Sequence, residues 1–167
     1  SEGEYVSELN LAGRAWIAEW AERLEKGAML LVDYGYPRAE YYLDSRSTGT
    51  LLCYFRHHAH GDPFLWPGLN DITAFVDFTA AAEAGFAAGL DILGYTDQAN
   101  LLFNCGVLAC LARRAPEDSV DYIRAAKAVQ RLTGPHEMGE LFKVIAMGRG
   151  IEQPLIGFLR GDRLHAL

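Results

Sequence analysis

A carboxylate followed by two tyrosines is the first arrangement in this 167-residue chain that could do chemistry. The stretch MLLVDYGYP (29–37) runs from apolar residues into Asp33, and then into a predicted turn of Tyr34, Gly35 and Tyr36. In open α/β sheets, ligands bind beyond the carboxyl ends of the strands, where such residues are presented. Asp33 could therefore orient a cationic or hydrogen-bond-donating group between tyrosine walls, or it could only cap the next turn.

The run RHHAHGD is the most metal-like segment of the sequence. It places His58, His60 and Asp62 at alternating positions, and a zinc site needs three protein ligands plus an open position. Further ligands would have to come from His136 or His165. Two alternatives remain open: a metal site of a hydrolase, or a polar loop beside a substrate cleft in which His58 accepts a proton.

Two further polar groups follow predicted strands or loops. In the segment DITAFVDF (71–78), Asp71 and Thr73 would share one face of an extended chain and line a pocket, whereas Asp77 is expected to cap the next helix. Gln98 stands at the predicted start of a helix, where free backbone amides face the same sheet edge.

Alternating helices and strands must position these residues. The predicted helices are 7–26, 79–88, 97–114 and 117–132, the last two separated by Pro116; the predicted strands are 28–32, 50–55, 71–78, 90–96, 142–147 and 154–159. Ser7 is the predicted N-cap of the first helix, and residues 56–69 are predicted to be irregular. This alternation indicates α/β layering.

The first strand, 28–32, lacks polar alternation, which predicts burial on both faces as in a parallel sheet. With only one further parallel strand and a terminal hairpin (142–159), its apolar edge would remain open. Residues 1–167 are therefore interpreted as a single domain, the second half of a larger α/β domain. The open edge also predicts pairing, with the missing half or within a homo-oligomer.

Composition excludes several classes of function. A net charge of −7 and a pI near 5.2 argue against nucleic acid as the main partner. The sequence contains no apolar run of 18 residues and no signal peptide, so no membrane span is expected. Its three cysteines form no CxxC pair and are predicted to be reduced, buried thiols. Glycine-rich phosphate motifs and a GxSxG elbow are absent from the sequence.

Several blocks recur in a familiar order. They are GAMLLVDYG (27–35), GTLLCY (49–54), the His58 loop ending in PG (67–68), DITAFVDF (71–78), the Gln98 helix ending in NCG, and MGELFKVIAMGRG (138–150). Together they resemble the C-terminal half of the MidA-like methyltransferases, the family that includes the mitochondrial complex I assembly arginine methyltransferase. One departure is Phe75, where bacterial members tend to have histidine.

The resemblance implies a class I, Rossmann-like fold that uses S-adenosylmethionine, with a seven-stranded sheet whose last strand is antiparallel. Strands 29–32, 90–96 and 142–147 would then be the fifth, sixth and seventh, with extra helices between the last two. The family's glycine-rich cofactor loop lies on the first strand, which is absent here. The chain alone is therefore expected to be inactive.

The resemblance also implies an acceptor, which would be a protein arginine, possibly of a respiratory-complex subunit. Asp33 and Asp71 would orient its guanidinium by charge-assisted bonds, and Tyr34 and Tyr54 would pack on its plane. The expected catalytic residues are Asp33, His58 and Asp71, and the expected substrate-binding residues are Tyr34, Gly35, Tyr36, Tyr54, Thr73 and Gln98. The expected location is the cytoplasm of a bacterium or the mitochondrial matrix. A non-catalytic module that docks an assembly partner is the remaining alternative.

Overall fold

The computed structural model describes residues 4–114 and 119–167, which build two sheets flanked by helices. The strands are β1 (Gly27–Tyr36), β2 (Leu52–Phe55), β3 (His58–His60), β4 (Asp71–Thr73), β5 (Val76–Asp77), β6 (Asp91–Asp97) and β7 (Phe142–Arg149). The helices are α1 (Leu11–Arg23), α2 (Arg38–Tyr41), α3 (Phe78–Ala87), α4 (Gln98–Asn104), α5 (Val107–Ala112), α6 (Val120–Thr133) and α7 (Met138–Leu141). The predicted α/β architecture is confirmed.

The larger sheet has the order β5-β1-β7-β6, and β7 is antiparallel to both of its neighbours. Because β1 and β6 both run opposite to β7, they share one direction. The predicted hairpin of residues 142–159 is wrong: β7 pairs with distant strands, and a short 3₁₀ helix, Ile156–Phe158, replaces the second strand.

Apolar side chains cover one face of this sheet and the β7 part of the other. On one face α1 and α3 contribute Ile17 and Phe78, which pack against Ile145 and Met147 of β7. The opposite face is thinner, with Val144, Ala146 and Phe158 at its centre. Burial of this apolar area is the main stabilising contribution to the fold.

Strand β1 continues further than the sequence predicts. The segment from Asp33 to Tyr36 is extended strand instead of a turn, because Gly35 and Tyr36 pair in parallel with Val76 and Asp77. A Cβ at Gly35 would lie 2.1 Å from the carbonyl oxygen of Val76. Glycine is therefore what lets β5 approach β1 this closely.

One face and one edge of β1 are open. Leu30 is 51% exposed and Val32 is 45% exposed, so the prediction that this strand is buried on both faces is wrong. Within the described parts of the chain, the edge opposite β7 carries a partner strand only at Gly35 and Tyr36. The open edge along Met29–Val32 is as predicted.

The smaller sheet has the order β3-β2-β4. The prediction that residues 56–69 are irregular is therefore wrong at its start, because His58–His60 form a strand against β2. Arg56 and His57 both have positive φ, at 49° and 67°, and make the two-residue turn that twists this hairpin correctly.

The helices differ from the prediction at three points. Helix α1 begins after Asn10, whose side chain accepts a hydrogen bond from the amide of Gly13, so Ser7 is not its N-cap. Gly106, at φ 80°, divides the predicted 97–114 helix into α4 and α5. The predicted break at Pro116 lies outside the described residues. In the described residues, no helix combines the length and apolar character that crossing a membrane requires.

The cysteines also differ from the prediction. Cys53 is buried in β2 as expected, but Cys105 and Cys110 are exposed. Both residues belong to an apolar helical segment that lies on the surface. From the sequence pattern alone, such a segment is expected in the core.

Candidate functional site

Aromatic side chains gather where β1 ends. The ring of Tyr34 lies 4.5 Å from that of Phe142, and Phe75 lies 5.4 Å from Tyr36 and 6.2 Å from Tyr34, between ring centroids. Tilted rings at these separations attract each other beyond their area burial. The carboxyl end of β1 is thus a preformed aromatic wall, in which Phe75 contacts both tyrosines.

Asp33 immediately precedes Tyr34 on β1, and its side chain is exposed. Its Oδ1 accepts a hydrogen bond of 2.8 Å from the backbone amide of Tyr34. The second carboxylate oxygen has no protein donor among the described residues. Asp33 can therefore accept a hydrogen bond from a ligand while its first oxygen fixes its orientation.

A groove of about 660 Å³ runs beside the open edge of β1. Its walls are α1, the strand edge and the segment 72–78, and its lining includes Asp33, Thr73 and Tyr42. This volume lies in the range of small-molecule sites. The groove also has the position and the apolar floor that an additional strand paired with β1 would require.

A polar cluster at one end of the groove fixes the approach of the N-terminal segment. The carboxylate of Glu8 accepts hydrogen bonds of 2.8 Å from the Tyr41 hydroxyl and 2.9 Å from the Thr50 amide, and another from the Thr50 hydroxyl. Burial tends to raise the pKa of Glu8, but these hydrogen bonds outweigh it and hold the pKa below its ordinary value. Burial also raises the pKa of Tyr41, so Glu8 is ionised and Tyr41 neutral.

A buried lysine lies across the sheet from Asp33. Lys143 is 6% exposed and sits in register with Asp33 on one side and Asp97 on the other. Its ammonium donates to the carbonyl oxygen of Glu140 and lies 5.8 Å from the ring centroid of Tyr36. Burial lowers the pKa of Lys143. The sequence signal for it was a single lysine inside the apolar run FKVIAM.

The predicted site residues divide into two groups. Asp33, Tyr34, Gly35 and Tyr36 lie at the end of β1, whereas Tyr54, Asp71 and His58 lie on the smaller sheet. Tyr54 is directly opposite Asp71, and His58 is next to the exposed turn. Thr73 also lies on the smaller sheet, at the end of β4, and it lines the groove.

The structure does not bring the histidine run together as a metal site. His60 Nε2 is hydrogen-bonded to Asn70 Oδ1 at 3.1 Å, and the carboxylate of Asp62 accepts from the amide of Phe64 at 2.9 Å. Across residues 4–114 and 119–167, no three His, Cys, Asp or Glu side chains are arranged to hold an ion. The interpretation of His58, His60 and Asp62 as a hydrolase centre is therefore wrong.

Gln98 and Asp97 have structural partners. Gln98 is buried and donates to the carbonyl of Leu132 at 2.8 Å, joining α4 to α6. Asp97 caps α4 by accepting from the amide of Asn100 at 2.8 Å. Asp77 caps α3 as predicted, by accepting from the amide of Ala80 at 2.9 Å.

Sequence reasoning did not select four residues of the site: Glu8, Arg46, Phe142 and Lys143. Arg46 places its guanidinium carbon 4.0 Å from the ring centroid of Tyr36. Glu8 and Arg46 reach the site from irregular segments, so neither carries a periodic signal. Phe142 becomes a site residue only because β7 pairs with β1.

The strand-to-helix junctions of this chain do not fit a nucleotide-like cofactor. After β1, Pro37 is fully buried and the amide of Arg38 donates to Thr79. After β6, Asp97 and Gln98 are engaged as described. Neither junction offers the glycine-rich run of free amides that cradles phosphate or carboxylate groups. The described residues thus form a wall and a groove, without a cofactor cradle.

Comparison with known proteins identifies relatives of this chain. Residues 1–96 match the model of a family described as "Putative S-adenosyl-L-methionine-dependent methyltransferase". A crystal structure of a Burkholderia thailandensis protein matches with a TM-score of 0.95 at 51% identity, covering all of this chain and 44% of that one. A second Burkholderia thailandensis structure, determined with S-adenosyl-homocysteine bound, matches with a TM-score of 0.94 at 51% identity over 99% of this chain and 43% of that one.

Curated relatives are more distant. The protein arginine methyltransferase NDUFAF7 homolog, mitochondrial, of Drosophila melanogaster is 31% identical over 83% of this chain and 32% of its own length. Rat NDUFAF7, also a mitochondrial protein arginine methyltransferase, is 31% identical over 78% of this chain and 29% of its own. The chain spans about a third of the length of these relatives. It belongs to the S-adenosyl-L-methionine-dependent methyltransferase family.

Proposed function

We propose that this chain is the substrate-side part of an S-adenosylmethionine-dependent methyltransferase that acts on protein arginine. In this proposal a further, upstream part of the domain supplies the cofactor cradle and pairs with β1. The chain alone is therefore catalytically inactive. Its 51% identity to Burkholderia thailandensis structures favours a bacterial, cytoplasmic enzyme, although its curated relatives at 31% identity are mitochondrial by name.

The open edge of β1 is the observation that carries the proposal. Leu30 and Val32 of β1 are half exposed, and both line a groove that runs beside the unpaired edge of this strand. Exposed apolar strand edges are rare in native proteins unless another strand covers them. In the longer solved relatives, more than half of the chain lies outside the matched region. That length is enough to supply the strand that covers this edge.

Two features favour a guanidinium as the acceptor. Asp33 and Phe75 both line the groove, so a carboxylate and an aromatic ring lie in one cavity, and this combination binds planar cations by charge-assisted hydrogen bonds and stacking. The curated relatives are protein arginine methyltransferases by name.

The work of this chain's residues is positioning. In-line transfer requires the acceptor nitrogen to be held at the methyl donor in a fixed orientation, with water excluded. The aromatic wall of Tyr34, Tyr36 and Phe75 limits where a guanidinium plane can lie. Asp33 orients its N–H groups. With the cofactor bound, the methyl group would pass to the nitrogen as its bond to the sulfonium sulfur breaks, and the Asp33 carboxylate would accept the proton that the nitrogen releases. Asp71, His58 and Tyr54 on the smaller sheet contact the more distant part of the acceptor protein.

Calorimetry with S-adenosylhomocysteine tests the proposal. We expect no binding to this chain, and stoichiometric binding to a chimera in which the upstream part of the Burkholderia thailandensis protein precedes it. Stoichiometric binding to the chain alone would place a cofactor site within residues 1–167. Absence of binding to a folded chimera would contradict the division into two parts.

The role of Asp33 is tested in the same chimera. Asp33→Asn keeps the size of the side chain but removes its charge, and we expect kcat/KM for an arginine-containing protein substrate to fall about tenfold or more, the worth of a charge-assisted hydrogen bond. Asp91→Asn is the matched control, because Asp91 is an exposed strand aspartate at the opposite end of the sheet. Equal kcat/KM values for the two variants would exclude Asp33 from the site.

A further inference from the structure

The chain's own guanidinium groups converge on the segment that follows Asp33. Arg46 stacks on Tyr36 at 4.0 Å and donates from Nη1 to the carbonyl oxygen of Glu40. The guanidinium of Arg163 lies 3.7 Å from the carboxylate of Glu40. An aromatic face, a carbonyl and a carboxylate within five residues make a compact set of guanidinium partners.

The two guanidinium groups are held with different strength. Arg163 has a carboxylate partner, and its own amide is fixed by a 2.6 Å hydrogen bond to the carbonyl of Tyr95. Arg46 has no carboxylate within 4.0 Å among the described residues. It belongs to a single 3₁₀ turn, Asp44–Arg46, without a side-chain cap. Arg46 is therefore the group that an incoming ligand can displace.

The geometry of the Tyr36 contact matches what an acceptor would need. Phe75 supports Tyr36 at 5.4 Å, so the ring is held in place whether or not Arg46 is present. The same ring contacts Phe75, which lines the groove together with Asp33. A second guanidinium cannot lie on the face that Arg46 covers, because both would occupy the same van der Waals space.

We propose that Tyr36 and the Glu40 carbonyl form a guanidinium subsite that Arg46 fills in the absence of acceptor, so that an arginine side chain binds by displacing Arg46. This inference rests on the proposed function, because it concerns the same acceptor site. Arg46 then acts as an internal competitor. The apparent affinity for an arginine side chain is the intrinsic affinity multiplied by the fraction of time that Arg46 leaves the ring free.

A titration of this chain with Nα-acetyl-L-arginine amide tests the subsite. Binding is followed by nuclear magnetic resonance on the ring signals of Tyr36, which are assigned by their loss in Tyr36→Leu. We expect Arg46→Gln to bind the probe about tenfold more tightly than the wild type, from the usual strength of a guanidinium on an aromatic face. The matched control is Arg23→Gln, an exposed arginine that pairs only with Glu19 on α1, and it should bind as the wild type does.

Three results would overturn the proposal. They are equal affinity of Arg46→Gln and wild type, absence of arginine-amide binding to every variant, and equally tight binding of Nα-acetyl-L-lysine amide to Arg46→Gln. If circular dichroism shows that Arg46→Gln is unfolded, Arg46→Met decides by the same criterion, since it keeps most of the side-chain length but carries no cation to place on the ring. The titration contains no cofactor, so it can fail while the chimera binds S-adenosylhomocysteine, and the reverse also holds.

Discussion

Replacing Gly35 by alanine should separate the two elements that shape the candidate site. Gly35 is buried where β1 meets β5, and an added Cβ would lie 2.1 Å from the carbonyl oxygen of Val76 and 2.8 Å from the ring of Phe78. The oxygen distance is roughly 1.3 Å shorter than the 3.4 Å at which ordinary contact begins. The ring can rotate away, but the carbonyl belongs to the backbone and must move with its strand.

The size of the effect follows from these contacts. Overpacking in a fitted interior costs about 1–3 kcal/mol. Loss of the pairing of Gly35 and Tyr36 with β5 adds about 1 kcal/mol per hydrogen bond. We therefore expect the free energy of unfolding to fall by about 3 kcal/mol. For a chain of this length that corresponds to a fall in Tm of about 6–12 °C.

Urea unfolding followed by circular dichroism measures this difference. Gly61→Ala is the matched control, because a Cβ at Gly61 meets no atom within 4 Å, and its free energy of unfolding should change by less than about 0.5 kcal/mol. The near-ultraviolet signal of the tyrosines should also change in Gly35→Ala alone. A loss below about 1 kcal/mol in Gly35→Ala would refute the claim that the close approach of β5 requires glycine.

Two further predictions concern acid stability and association. Because the pKa of Glu8 is lower in the folded chain than its ordinary 4.5, its stabilising effect is present above pH 4.5 and is lost as the pH falls through the folded value. Urea midpoints between pH 7 and pH 3 should therefore fall less steeply in Glu8→Gln than in the wild type or in the exposed control Glu25→Gln. Parallel curves for the three proteins would exclude Glu8 as the cause of the acid sensitivity. The open edge of β1 should make the isolated chain associate. The double variant Leu30→Lys, Val32→Lys should therefore have a lower sedimentation coefficient at high concentration than the wild type, whereas Phe64→Ser, which changes an exposed loop residue, should not. Equal association of all three proteins would exclude the edge as the cause.

Local signals predicted most of the single elements. The helix of residues 79–88 with its Asp77 cap, the strand of residues 90–96 and the strand of residues 142–147 all lie close to their predicted bounds. In each of them, apolar periodicity and end signals act within a few residues of one another. The open edge of β1 was also predictable, because the sequence contains too few parallel strands to cover it.

Long-range pairing was the part that local patterns could not supply. The residues around Gly150, after β7, have the pattern of a hairpin turn. β7 nevertheless pairs with β1 and β6, because packing across the whole chain determines its partners. The apolar run 101–112 looks like core, yet Phe103 and Leu108 are largely exposed. The hydrophobic pattern of this run predicts a helix, but it does not predict which other segments cover that helix.

The candidate site was predicted in part for the same reason. Asp33 and the tyrosines after it were found because a strand end is a local signal. Phe142 and Lys143 join them only through the register of β1 with β7, and Arg46 only through the path of a loop. The positions of these three residues are thus set by tertiary structure.

The insertion of β7 between β1 and β6 also determines when this sheet can form during biosynthesis. β1 ends at Tyr36 and β7 begins at Phe142, so the antiparallel neighbour of β1 is translated only after all the intervening segments. At ordinary elongation rates the apolar strand Met29–Val32 waits on the order of ten seconds for its partner. Throughout that interval the nascent chain presents the β7-facing edge of β1 to chaperones, and a stop codon before Phe142 removes this antiparallel partner altogether.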